Sequence, residues 1–85
     1  MNYKKTYIEV IARFDTDGVI LPIKILWNNG EWFFVDKVLD IRPAASLKAG
    51  GAGIRYTCRI NQQESFLFLE ENRWFVEEKV PSNIL

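Results

Sequence analysis

A tight reversal at Asn28-Asn29-Gly30, set between Trp27 and Trp32, constrains this chain more than any other stretch. Asparagine and glycine tolerate positive φ, so an apolar run on either side of them reads as a β-hairpin. Two registers are open. A two-residue Asn29-Gly30 turn sets Trp27 opposite Trp32. A three-residue loop, with Gly30 left-handed at a bulge, sets Trp27 opposite Glu31. Strand side chains alternate faces, so the choice decides which set is buried. The second register gathers Leu21, Ile23, Ile25, Trp27, Phe33 and Val35 on one face and puts Lys24, Trp32 and Phe34 on the other. The first would bury Lys24 beside Phe33 and Val35. The longer loop is therefore expected.

The rest of the chain repeats the period of two. Residues 6–14 alternate, with Ile8, Val10, Ala12 and Phe14 on one side and Tyr7, Glu9, Ile11 and Arg13 on the other. Asp15-Thr16-Asp17-Gly18 has the composition of a turn. Its two aspartates lack the further ligands of a calcium loop, so a plain turn is expected. Pro22 cannot donate to a ladder and belongs at an edge or a bulge of the second strand, 19–27. In the third strand, 31–41, the apolar pattern slips at Asp36-Lys37, which predicts a bulge. Residues 42–53 form the one long connection, with helix formers after Pro43 that allow a short helical turn over 43–49. Gly50-Gly51-Ala52-Gly53 lacks the lysine and the following helix of a phosphate loop and reads as a flexible connector.

Strict alternation over 54–60 turns Tyr56, Cys58 and Ile60 inward and Arg55, Thr57 and Arg59 outward. Turns at 61–64 and 70–73 lead into strands at 65–69 and 73–79, ahead of a loose tail over 80–85. The expectation is a single all-β domain over residues 1–85. Six strands in an antiparallel meander would form a strongly curved sheet or a small SH3/OB-like barrel.

The order Asp17-Gly18, Pro22, Trp27 shortly before Gly30, then Phe33-x-Val35-x-x-Val38-Leu39 and a late Trp74, resembles a group of small uncharacterised bacterial all-β proteins. Their pattern is Pro, then Trp-x-Gly-x-x-Tyr-x-Val-x-x-Val-Leu, then a tryptophan in the last strand. This chain departs from it by one extra residue between Trp27 and Gly30 and by Phe33 in place of tyrosine. The resemblance spans most of the length and implies a bacterial β domain. It brings no assigned activity and no catalytic residue.

Composition weighs against catalysis. Among 85 residues there is no histidine, which removes the commonest general base and metal ligand. The single cysteine excludes an internal disulfide, and Cys58 falls at an inward position with nothing to activate it. Glu70-Glu71 and Glu77-Glu78 read as solvated charge, and Asp36 and Asp40 as surface groups. No catalytic, cofactor-binding or metal-binding residue is expected. Eleven basic side chains balance eleven acidic ones, a neutrality that disfavours nucleic acid as a partner. Neither a membrane span nor a signal-peptide core is expected, and a reducing cytoplasm suits the lone thiol.

One feature points beyond fold. Hairpin parity gathers Trp32, Phe34, Phe66, Phe68 and Phe75 on the face opposite the core, with Arg55 and Arg59 beside them and Lys24 and Thr57 at the border. So much contiguous apolar surface demands a use. The 42–53 loop and the termini can cover it, a protein partner or second copy can dock on it, or single-stranded nucleic acid can stack on it. The expected role is protein association by a non-enzymatic module, with weak single-stranded nucleic-acid binding as the alternative.

Overall fold

A computed structural model describes residues 2–44 and 53–80. All the described regular structure is β: β1 (Asn2–Tyr7), β2 (Glu9–Phe14), β3 (Ile20–Leu26), β4 (Trp32–Pro43), β5 (Ile54–Ile60), β6 (Gln63–Glu70) and β7 (Arg73–Val80). They form one seven-stranded antiparallel sheet in the order β1-β7-β6-β5-β4-β3-β2. The meander is thus present over β2 to β7, and β1 docks beside β7. The two ends of the order are joined in sequence through Ile8, so the sheet must curl strongly into a half-barrel.

Seven strands replace the expected six because 2–14 is divided at Ile8. Its N–H leaves the line of the strand to donate to the Trp74 carbonyl at 3.1 Å. Tyr7 and its predecessors then pair with β7, whereas Glu9 and its successors pair with β3. The helical turn expected over 43–49 and the tail expected over 80–85 fall largely outside the described residues; where they are described, Pro43 is the last residue of β4 and Val80 is not tail but the last residue of β7.

The Trp27 hairpin takes the three-residue form. Trp27 donates its N–H to the Glu31 carbonyl at 2.8 Å, Gly30 donates to the Trp27 carbonyl at 2.9 Å, and Gly30 has φ +87°. The Asn29 side-chain oxygen accepts from the Glu31 N–H at 2.9 Å and holds the bulge. Ile25 stands opposite Phe33, and Lys24 opposite Phe34. The Asp15 turn closes in the same way. One carboxylate oxygen accepts from the N–H groups of Asp17 and Val19 at 2.8 and 2.9 Å, which occupies it with backbone.

The core sits on the inner, concave face. Ile25, Tyr56, Cys58, Ile60, Leu67 and Leu69 are buried there, with Trp74, Phe33 and Val76 among the side chains packed on them. Tyr56 is 1% exposed and donates its hydroxyl to the Ile20 carbonyl at 2.5 Å, so the one polar atom of that large side chain is satisfied. Two bulges bend β4, one between Val35 and Lys37 as the pattern slip predicted and one between Val38 and Asp40. They keep Val35, Val38 and Ile41 in line with Ile60, Cys58 and Tyr56 and wrap the strand around the core.

Candidate functional site

The outer face carries the residues of interest, and strand pairing divides them into separate places. Phe68 stands opposite Phe75, and Phe75 opposite Tyr7. The Phe68 and Phe75 rings stack with centroids 5.1 Å apart and planes within 7°, and Tyr7 meets Phe75 edge-on at 5.7 Å. Lys5 lies over Phe75, its ammonium 4.7 Å from the ring centroid, and continues to a 2.8 Å ion pair with Glu70. That hydrogen bond, with the carboxylate charge behind it, raises the Lys5 pKa despite some desolvation. The Arg73 guanidinium caps the stack 3.5 Å from the centroid of Tyr7. Phe75 is 1% exposed and Phe68 6%. These two residues, expected on an open face, belong instead to a second small core, because β1 brings Lys5 and Tyr7 across them.

Trp32 and Phe34 lie elsewhere on the face and stay open. Their relative exposures are 39% and 65%. The Lys24 ammonium sits between them, 5.0 Å from the Trp32 ring and 5.6 Å from Phe34. Ile11, itself 45% exposed, is the neighbour of Lys24 on β2. Rings and a cation in this arrangement attract one another, and the long lysine stem covers part of the apolar surface.

Phe66 is separate again. It stands opposite the buried Thr57, is 47% exposed, and has the Arg55 guanidinium 4.7 Å from its centroid. The Arg55 Nε is buried and has no hydrogen-bond partner among the described residues, where the ring is the group that faces the guanidinium. Arg59 is exposed, between Lys37 on one side and Glu64 on the other. The seven residues expected to share one face therefore divide into a closed pair, an open pair, a half-open ring with its arginine, and one free-standing arginine. Tyr3 and Lys5 lie outside the expected first strand, and Tyr7 is expected only on the side of Glu9, Ile11 and Arg13, although the alternation of the three is the signal that an aromatic and basic face begins in residues 2–7.

Two clefts open where neighbouring strands part. β3 and β4 are paired only from Lys24 to Leu26, and beyond that point a space of about 660 Å³ lies between Pro22 and residues 35–41. A bulge in the β2–β3 ladder adjoins Pro22. Ladder alternation then turns the proline nitrogen toward this cleft, where no rung needs an N–H, which accounts for a proline inside a strand. β6 and β7 are paired only over Phe68–Glu70, and a second space of about 620 Å³ reaches from Trp27 and Phe33 out to Phe66 and Tyr3. The Gly50–Gly53 stretch, expected to be a flexible connector, lies almost wholly outside the described residues.

Four of the groups able to do chemistry, Cys58, Glu70, Asp40 and Glu78, are buried or paired. Cys58 is fully buried, and burial pushes its thiol up to about 11, far from the thiolate a nucleophile requires. Glu70 is held by Lys5, and Asp40 by Arg42 at 2.7 Å. Thr6 donates its hydroxyl to Glu78. Among the described residues no three His, Cys, Asp or Glu side chains converge as metal ligands, and no helix is long and apolar enough to cross a membrane.

The chain matches no family model, no curated protein and no solved structure.

Proposed function

We propose that this chain is a non-enzymatic cytoplasmic module that associates with proteins through the open part of its outer face, centred on Trp32 and Phe34. The supporting observation is the exposure of those rings, 39% and 65%, while chemically similar rings on the same face are sealed. Tryptophan, phenylalanine and nearby cations are the side chains that concentrate at protein interfaces. Lys24 lies between the rings and Glu9 borders them on the β2 side, so a partner surface that is apolar and carries a carboxylate to meet Lys24 fits the patch.

The test uses Phe34→Asp. The residue is exposed, so circular dichroism should show an unchanged fold. A charge placed in the middle of a packed interface should reduce partner capture by more than tenfold. Equal capture by the variant and the wild type would exclude this patch.

The alternative is single-stranded nucleic acid held at Phe66 with Arg55 and Arg59. Its support is the half-open Phe66 ring beside a guanidinium at 4.7 Å. Titration with an oligonucleotide at rising salt separates the readings, because phosphate contacts lose affinity steeply with salt and apolar packing does not.

A further inference from the structure

The sheet has two ends, and they differ in how they would meet a copy of themselves. At one end β1 carries Lys4 and Lys5 side by side. Antiparallel pairing of two β1 edges would oppose lysines, a common device against edge-to-edge association. At the other end β2 pairs with β3 alone among the described strands. Its side chains are Glu9, Ile11 and Arg13 on the outer face and Val10, Ala12 and Phe14 on the inner. Val10 is half-buried against the core, and the other five are exposed, Phe14 by 72%. Among the described residues no side-chain hydrogen bond or ion pair engages Glu9 or Arg13.

The free backbone groups of β2 follow from ladder alternation. Asp15 donates to the Val19 carbonyl at 2.9 Å, which places Arg13, Ile11 and Glu9 among the residues whose N–H and C=O point toward β3. Those of Val10, Ala12 and Phe14 point away from it. Ile8 fits the same alternation, since its N–H turns from β3 to the Trp74 carbonyl. An incoming antiparallel strand must therefore bond to Val10 and Ala12.

We propose that β2 pairs with β2 of a second copy about a two-fold axis through Ile11. In that register Val10 of each copy exchanges both backbone bonds with Ala12 of the other. Ile11 meets Ile11 on the outer face, and Glu9 stands opposite Arg13 twice. The pairing stops short of Phe14, because the edge position beside Ile8 of the other copy is already taken by the Trp74 carbonyl. Moving the strands one allowed step either way opposes Ile11 to Glu9 or to Arg13 and leaves the ion pairs unmade. The charges thus select a single register among those the backbone permits. The β2 edge is a different surface from the Trp32–Phe34 patch. It would also set two Trp32–Phe34 patches on one continuous sheet face.

The test is a charge exchange read by sedimentation over a wide concentration range, with circular dichroism to verify folding. Wild type should show concentration-dependent dimers. Glu9→Arg and Arg13→Glu each replace two attractions with two repulsions and should weaken dimerisation by roughly tenfold or more. An equimolar mixture of the two variants should restore wild-type association, because each repulsive strand then finds its complement. The amides of Val10 and Ala12, and not that of Ile11, should gain hydrogen-exchange protection as wild-type concentration rises. A wild type that stays monomeric up to about millimolar overturns the proposal. So does a mixture that stays monomeric, or dimers indifferent to both charge variants. Dimers lost only in Phe34→Asp would likewise exclude the edge while supporting the outer-face patch, which keeps the two readings apart.

Discussion

Two aromatic clusters on one sheet face have met opposite fates. At one end of the face Phe68, Phe75 and Tyr7 pack together with Lys5 and Arg73 over their rings. At the other, Trp32 and Phe34 flank Lys24. The ingredients are alike, and the neighbouring strand makes the difference. β1 lies beside β7 and lowers Lys5 and Tyr7 onto Phe75, so a second core forms outside the barrel. Beside β3 stands β2, whose outer side chains near Lys24 are Glu9 and Ile11, too few and too small to roof two aromatic rings. An aromatic surface on a small β domain therefore becomes core or interface according to what the next strand offers. Ring count alone does not decide it.

The largest effect that tests this contrast is truncation. Phe75→Ala should cost about 3–5 kcal/mol, as for a fully buried ring in a packed environment. Phe34→Ala should stay within about 0.5 kcal/mol, as for a surface position. Urea unfolding of the two variants measures both. Similar losses would mean that the open patch is covered in solution and would break the comparison.

An intermediate effect comes from the inner core. Cys58→Ala should cost about 1–2 kcal/mol through lost packing. It should also change the response to alkali. The folded state holds the thiol proton up to about pH 11, whereas the unfolded thiol releases it near 9.0. The folded pKa is the higher one, so the stabilisation is complete below about pH 9 and is lost as pH rises toward 11. The variant should show a flatter decline over that window. Tyr56, whose pKa is raised first by burial and then by the neighbouring Cys58, keeps only the burial part of its own alkaline loss in the variant, which flattens the decline further. Identical slopes would show that the thiol is not sealed.

How far the contrast was legible beforehand depended on the range of the interactions. The Gly30 loop, the face of Trp27, the slip at Asp36-Lys37 and the interior position of Cys58 all follow from local turn chemistry and a period of two. The hairpin at Asn61-Gln62 keeps parity as expected, although both residues have positive φ, 51° and 64°, without glycine. Glu71-Asn72 does the same. The break at Ile8 was not legible, because Ile8 continues the alternation of Val10 unchanged. Only the long-range choice between β7 and β3 divides the strand there. The closing of Phe68 and Phe75 was missed for the same reason. Parity told which face they occupy, and only the docking of β1 told what lies above it.

The smallest effect concerns the two lysines that lie over aromatic rings. Lys5 is anchored by Glu70, so its ammonium is held between a carboxylate and Phe75. Lys24 has two rings within reach and, among the described residues, no carboxylate in an ion pair with it, and the rings beneath it are themselves wet. Cation–ring attraction at an exposed site is worth about 0.5–1 kcal/mol, and the methylene stem contributes part of what truncation removes. Lys24→Met keeps the stem and deletes the charge, so its stability should fall by about 0.5 kcal/mol or less. Loss of the nearby cation should still change the emission of Trp32, which can be isolated by comparison with a Trp32→Phe background. The same exchange at Lys5 strands Glu70 as well as uncovering Phe75, and it should destabilise the fold more than the change at Lys24. Equal responses at the two lysines would mean that the anchor to Glu70 adds nothing. The two clusters would then differ only in how much water reaches their rings.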